Sequence, residues 1–164
     1  MIKLPTMATM LAVVATVAGC GSDGLTVEGR VDLTVRQAGQ ADGVAAFAFP
    51  QSTVVDAPPG IGRGIFGRCE RVDGAWLIEL DRADNAGDAL QRISLRIADA
   101  GSAHTASFAL GTSSFSASGA CTAAANTVGT SLRATMQCTG LRATGDARSV
   151  DAVVNLTFQN CTGQ

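Results

Sequence analysis

Chemistry in this chain would have to be built from few parts. His104 is the one histidine, set in Ala103-His104-Thr105. A Ser-His-Asp site needs an imidazole to take the hydroxyl proton and a carboxylate to orient it. Ser113, Ser114 and Ser116 are the candidate hydroxyls, but no G-x-S-x-G elbow surrounds them. Paired-carboxylate hydrolysis needs two acids on convergent rigid positions, and the spacing of Glu28, Glu70 and Glu79 does not show convergence. Gly62-Arg63-Gly64-Ile65-Phe66-Gly67 matches G-x-G-x-x-G. A phosphate cradle of that kind needs a strand before it and a helix after it. The following Arg68-Cys69-Glu70-Arg71-Val72-Asp73-Gly74 does not open a helix, so a flexible surface loop is expected and no cofactor. Asp81, Asp84, Asn85 and Asp88 lack the alternating register and closing Glu of a calcium loop and read as solvated. The five cysteines show no C-x-x-C, and no two are nearer than 17 positions. Zinc sites use closer pairs. The expectation is no metal and no catalysis.

Cys20 stands apart from the other four. Lys3 supplies a positive charge, and Leu4 to Ala18 is an apolar or small run of about 15 residues. That is short of the roughly 20 that span a bilayer and fits a secretory signal peptide. Val17-Ala18-Gly19-Cys20 resembles the bacterial lipobox. The resemblance implies diacylglycerol on the Cys20 thiol, cleavage after Gly19, and Cys20 as the new N-terminus. The expected organisation is a signal peptide over 1–19, a lipidated Cys20 with a short tether over 20–24, and one β-rich domain over 25–164. With a lipobox, the acceptor-like Asn155-Leu156-Thr157 and Asn160-Cys161-Thr162 are chance matches.

Removing residues 1–19 would leave 145 of 164 residues, one ordinary domain. Lys3 is the only lysine, so 11 Arg would face 14 Asp plus Glu. That mild acidity forms no basic stripe for nucleic acid and no polybasic patch for anionic lipid. The membrane is expected as a partner through the N-terminal lipid alone.

The elements that would position these residues are strands. Leu25, Val27, Val31, Leu33 and Val35 alternate with polar residues, the period of a half-buried strand. Gly29 falls on the apolar face, where a bulge or close packing is the usual reason. Val44 to Phe49 reads as a strand stopped by Pro50, and Gln51 to Gly67 as irregular. Strands follow over Phe66–Val72 and Ala75–Leu80 around Asp73-Gly74, and then over Ile93–Ile97. A short helix over 86–95 competes with that last strand. Thr105–Leu110, Phe115–Cys121, Leu132–Cys138 and Val150–Gln159 complete the series. About eight short strands imply an all-β antiparallel sandwich or half-barrel.

Cys69, Cys121, Cys138 and Cys161 are even in number, and an exported chain would oxidise them. Three connectivities exist. If 115–122 and 131–138 form a hairpin, Cys121 opposes Cys138 at the Cα separation a bridge needs, about 5.5 Å. Cys69 and Cys161 then pair. Cys138–Cys161 suffers from parity, because the two fall on opposite faces of the last hairpin. Loop closure assigns about 3 kcal/mol to the short bridge and about 4.6 to the long one.

Cys69 followed by Gly74 and Trp76-Leu77-Ile78-Glu79-Leu80, then Leu90-Gln91-Arg92-Ile93-Ser94-Leu95-Arg96, then Thr139-Gly140-Leu141 leading to Phe158-Gln159-Asn160-Cys161, resemble the mycobacterial lipoprotein antigen (LpqH-like) family over residues 69–161. The resemblance implies a membrane-anchored β domain with its first and last cysteines bridged, and a surface antigen or adhesin-like role without catalytic residues. Cys121 and Cys138 look additional to that pattern, and the long Ser/Thr-rich tether is missing. The resulting expectation is an extracytoplasmic, lipid-anchored envelope protein with a non-enzymatic binding role. The alternative is a carrier whose apolar faces, with Val31, Leu33, Phe108 and Leu156, part around a hydrophobic ligand.

Overall fold

Apolar–polar alternation is the local rule of the chain, and it produces strands throughout. The computed structural model describes residues 24–55, 64–82, 90–99, 102–118 and 121–163. The expected signal segment and Cys20 lie outside them. The strands are β1 (Thr26–Arg36), β2 (Gly43–Val55), β3 (Ile65–Val72), β4 (Ala75–Arg82), β5 (Leu90–Ala98), β6 (Thr105–Leu110), β7 (Ser113–Ser118), β8 (Cys121–Val128), β9 (Ser131–Arg142) and β10 (Ser149–Gln159). No helix occurs among the described residues. Over 86–95, period two wins from Ile93 onward, with Ile93, Leu95 and Ile97 buried and Ser94 and Arg96 turned outward.

The sheet runs β10-β1-β2-β3-β4-β5-β6-β7-β9, and β9 pairs back to β10. Nine strands close into a barrel, and β8 adds to β9 as a tenth. This corrects the expected sandwich or half-barrel of about eight strands. Closure removes the two open edges a half-barrel would leave. It also lets one apolar face per strand meet the others in a single core. Phe108, Phe115, Phe158, Leu33, Ile78 and Leu156 are among the largest side chains fully enclosed there.

Two neighbours in the ring pair poorly. β2 and β3 run parallel and, among the described residues, share only Val54 with Ile65 and Val55 with Phe66. Among the described residues, β7 and β9 share only Ser116 with Arg142. Each seam carries a disulfide. Cys121 opposes Cys138 across β8 and β9, with Cα atoms 4.1 Å apart. That pair is one residue out of register with Ser116–Arg142, so β8 continues β7 along the same side of β9. Cys69 bonds Cys161 with Cα atoms 5.0 Å apart. Beside it Thr162 runs parallel to β3. Arg71 N–H donates to the Thr162 carbonyl and Thr162 N–H to the Cys69 carbonyl, each at 3.0 Å. The C-terminal segment thus covers β3 edge that β2 leaves open.

Three sequence expectations change. β2 runs through Pro50 to Val55. Proline is tolerated because its position falls at a bulge against β1, between the pairs Gly29–Phe49 and Val27–Ser52. Residues 51–55 and 65–67 are therefore strand, and the remainder of the expected irregular stretch, 56–63, lies outside the described residues. β8 takes up most of the segment between the expected hairpin strands 115–122 and 131–138, leaving a turn at Gly129-Thr130.

Gly29 and Gly67 lie at positive φ, 135° and 150°. A Cβ at Gly29 would drive into the Asn155 carbonyl, and one at Gly67 into the Glu79 carbonyl. Those are backbone atoms held in ladders, so they cannot swing away. Gly29→Val and Gly67→Val should each lower unfolding free energy by about 2–4 kcal/mol in urea titrations. A loss under about 0.5 kcal/mol at either site would contradict the close approach.

Candidate functional site

Among the described residues, those that could do acid–base or nucleophilic chemistry do not converge. His104 precedes β6, and its Nδ1 accepts the Ala98 N–H at 3.2 Å. Ser118 pairs with Thr105, whereas Ser113 pairs with Leu110 at the other end of the hairpin. At about 3.3 Å per residue, Ser113 lies roughly 20 Å from His104 along the strand. Ser114 shares a hydrogen bond with Ser107 at 3.2 Å. Ser116 sits in the ladder between Ser107 and Arg142. Glu70 and Glu79 do approach each other, but around Arg68, at 3.0 and 2.9 Å. Glu28 is distant on β1. Asp81 is paired with Arg92 at 2.6 Å, and Asp84, Asn85 and Asp88 lie outside the described residues. The second half of the glycine motif, Ile65-Phe66-Gly67, is β3 strand and opens no helix. Among the described residues, no cluster of His, Cys, Asp or Glu is arranged to hold a metal.

Sequence reading missed one polar knot. Ser113 Oγ donates to Asp146 Oδ2 at 2.7 Å and accepts from Arg148 Nη2 at 3.0 Å. Arg148 also meets both Asp146 carboxylate oxygens, and its guanidinium lies 5.4 Å from the Phe115 ring centre. The hydrogen bonds from Arg148 and then Ser113 hold the Asp146 carboxyl well below the usual carboxylate range. An acid kept anionic and fully engaged is a poor proton acceptor for Ser113. The knot instead stitches the 143–148 loop to β7, next to the weak β7–β9 seam. Ser113 and Asp146 are 33 positions apart, and no local pattern links them.

Surface depressions formed by described residues include two of note. One, of about 380 Å³, lies across the outside of β8, β9 and β10. Thr122, Gln137 and Val153 form one cross-strand row, and Ala124, Thr135 and Asn155 the next. Its hydroxyl and amide groups neither titrate near neutrality nor carry charge. They can hydrogen-bond an uncharged polar partner, and half-exposed Val153 adds apolar contact. The sequence signal was there: the outward positions of these strands are small and mostly uncharged. The second depression, of about 230 Å³, separates β8 from the ends of β3, β4 and β5. Arg71 rims it, bonded to both Asp99 carboxylate oxygens at 2.9 and 2.7 Å and lying 5.5 Å from the Trp76 ring centre. Ala123 and Ala125 face it, and their small size leaves the space open.

The side chains a hydrophobic carrier would separate are packed. Val31, Leu33 and Phe108 are 0% exposed and Leu156 1%, so no water-sized space borders them. Comparison with protein-family models, curated proteins and solved structures finds no match to this chain.

Asp146 gives a pH signature. Its folded carboxyl is depressed, so the stabilisation is complete above the unfolded carboxylate range near pH 4 and is lost as pH falls further. Asp146→Asn should be less stable than the native protein at pH 6, with the gap closing toward pH 2 in urea titrations. A gap that stays constant across that range would contradict the assignment.

Proposed function

We propose that this chain is a bacterial envelope lipoprotein, anchored through an acylated Cys20, whose barrel binds other molecules on its outer surface and catalyses nothing. The carrying observation is covalent closure by Cys69–Cys161 and Cys121–Cys138. Paired thiols of this kind are consistent with an extracytoplasmic location. They follow a segment that reads as a signal peptide ending in a lipobox.

A binding role on the outside is favoured by what the barrel offers. The interior side chains pack against one another, so recognition falls to the wall and the ends. The depression over β8, β9 and β10 suits an uncharged, hydrogen-bonding partner. Charge recognition is weakly supplied, since Arg30, Arg36, Arg68, Arg71, Arg92 and Arg148 each face a carboxylate. An antigen or adhesin-like role fits the same outward-facing surface. The carrier alternative would require Val31, Leu33, Phe108 and Leu156 to separate, at the cost of the core that holds the ring.

Cell fractionation tests the anchor. The native protein should partition with membranes and Cys20→Ser should be released from them. Membrane retention of the Ser variant would contradict the proposal. Organic extraction of the purified delipidated barrel separates the two roles. Mass spectrometry should find no stoichiometric lipid, and a one-to-one lipid would favour the carrier.

A further inference from the structure

We infer that the barrel stands end-on against the bilayer, with the end that carries Gly24 touching the lipid surface and Val72 and Val128 meeting it. The inference rests on the proposed acylation of Cys20.

Contacts identify that end. The Asn160 side chain donates to the Gly24 carbonyl at 2.8 Å, and Asn160 N–H donates to the Thr130 carbonyl at 2.8 Å. Thr162 lies on β3 beside Glu70. Asp99 N–H donates to the Gly74 carbonyl at 3.0 Å. The start of β1, the β3–β4 turn, the β8–β9 turn and the C-terminal segment therefore share one end. Val72 and Val128 flank those two turns, 40% and 79% exposed.

Reach and charge select the orientation. Four Cα steps separate Cys20 from Gly24, a span of at most about 14 Å. β1 has 11 residues, which at about 3.3 Å each and a strand tilt near 40° carry it about 25 Å along the barrel axis. The far end, where Val44 is exposed, is thus beyond the reach of the tether. Lying flat would press the wall onto lipid. Outside the neutral depression over β8, β9 and β10, that wall carries Arg30–Asp32, Arg36–Asp151, Arg68–Glu79 and Arg92–Asp81, and desolvating such pairs is costly. The Gly24 end presents Asp73 and the Arg71–Asp99 pair beside two exposed valines, and it can approach an interface at lower cost.

The test uses the native acylated protein on phosphatidylcholine nanodiscs, with and without a gadolinium-chelating lipid. Intact mass first reports whether Cys20 carries acyl chains. Their absence defeats the anchorage reading and this orientation with it. On acylated protein, paramagnetic broadening of amide signals should be several-fold stronger at 72–74, 128–130 and 160–163 than at 37–42 and 143–146. Broadening that is uniform, strongest along one wall, or strongest at 37–42 overturns the orientation and leaves the anchorage reading standing.

Discussion

Ring closure is the constraint on which the rest of this structure depends. A nine-stranded barrel buries its apolar face only while every neighbour stays in place. Among the described residues, two pairs of neighbours share only one or two residue pairs, too few to hold a ladder by backbone hydrogen bonding. The covalent bonds lie at those places. Cys121–Cys138 holds β8 on β9 immediately beyond the β7–β9 pair, and the Ser113–Asp146–Arg148 knot supports the same seam. Cys69–Cys161 holds the C-terminal segment on β3, where the parallel contact with β2 has run out. A bridge closing a long loop chiefly restricts the unfolded chain. Here it also fixes which segment occupies an open edge.

A filled interior limits what the molecule can do. With phenylalanines and leucines meeting across the centre and no buried polar side chain among the described residues, the interior is packed. On the proposed reading, recognition falls to the wall, where most charges neutralise one another, and to the ends. Pairs exposed to this degree add little stability. Their effect is to leave a surface without a strong field, suited to contact through shape and neutral hydrogen bonds.

Much of the architecture was legible in the residues, and the remainder was hidden for identifiable reasons. β1, β4, β6 and β10 alternate β-branched or large apolar residues with polar ones and could be read directly. β8 could not, because Thr122-Ala123-Ala124-Ala125-Asn126-Thr127 offers no contrast between its faces. β2 looked finished at Pro50, although a bulge tolerates the missing donor. Closure itself was invisible: alternation tells which face is buried but not which strand is the neighbour, and β1 meets β10 across the length of the chain. The cysteine pairing was accessible because parity places Cys121 opposite Cys138 once their strands form a hairpin. His104 and the serines looked like a possible site only in one dimension. Register placed them apart.

The most direct measurement compares the native protein with a Cys69→Ser/Cys161→Ser variant by urea unfolding and amide hydrogen exchange. Closure by this bridge predicts a stability loss of several kcal/mol, on the order of the loop-closure value of about 4.6. Exchange should rise first in β2, β3 and residues 160–163, while β4, β5 and β6 remain protected. A variant with native stability and an unchanged exchange map would show that the ring holds without the bond, contradicting the account.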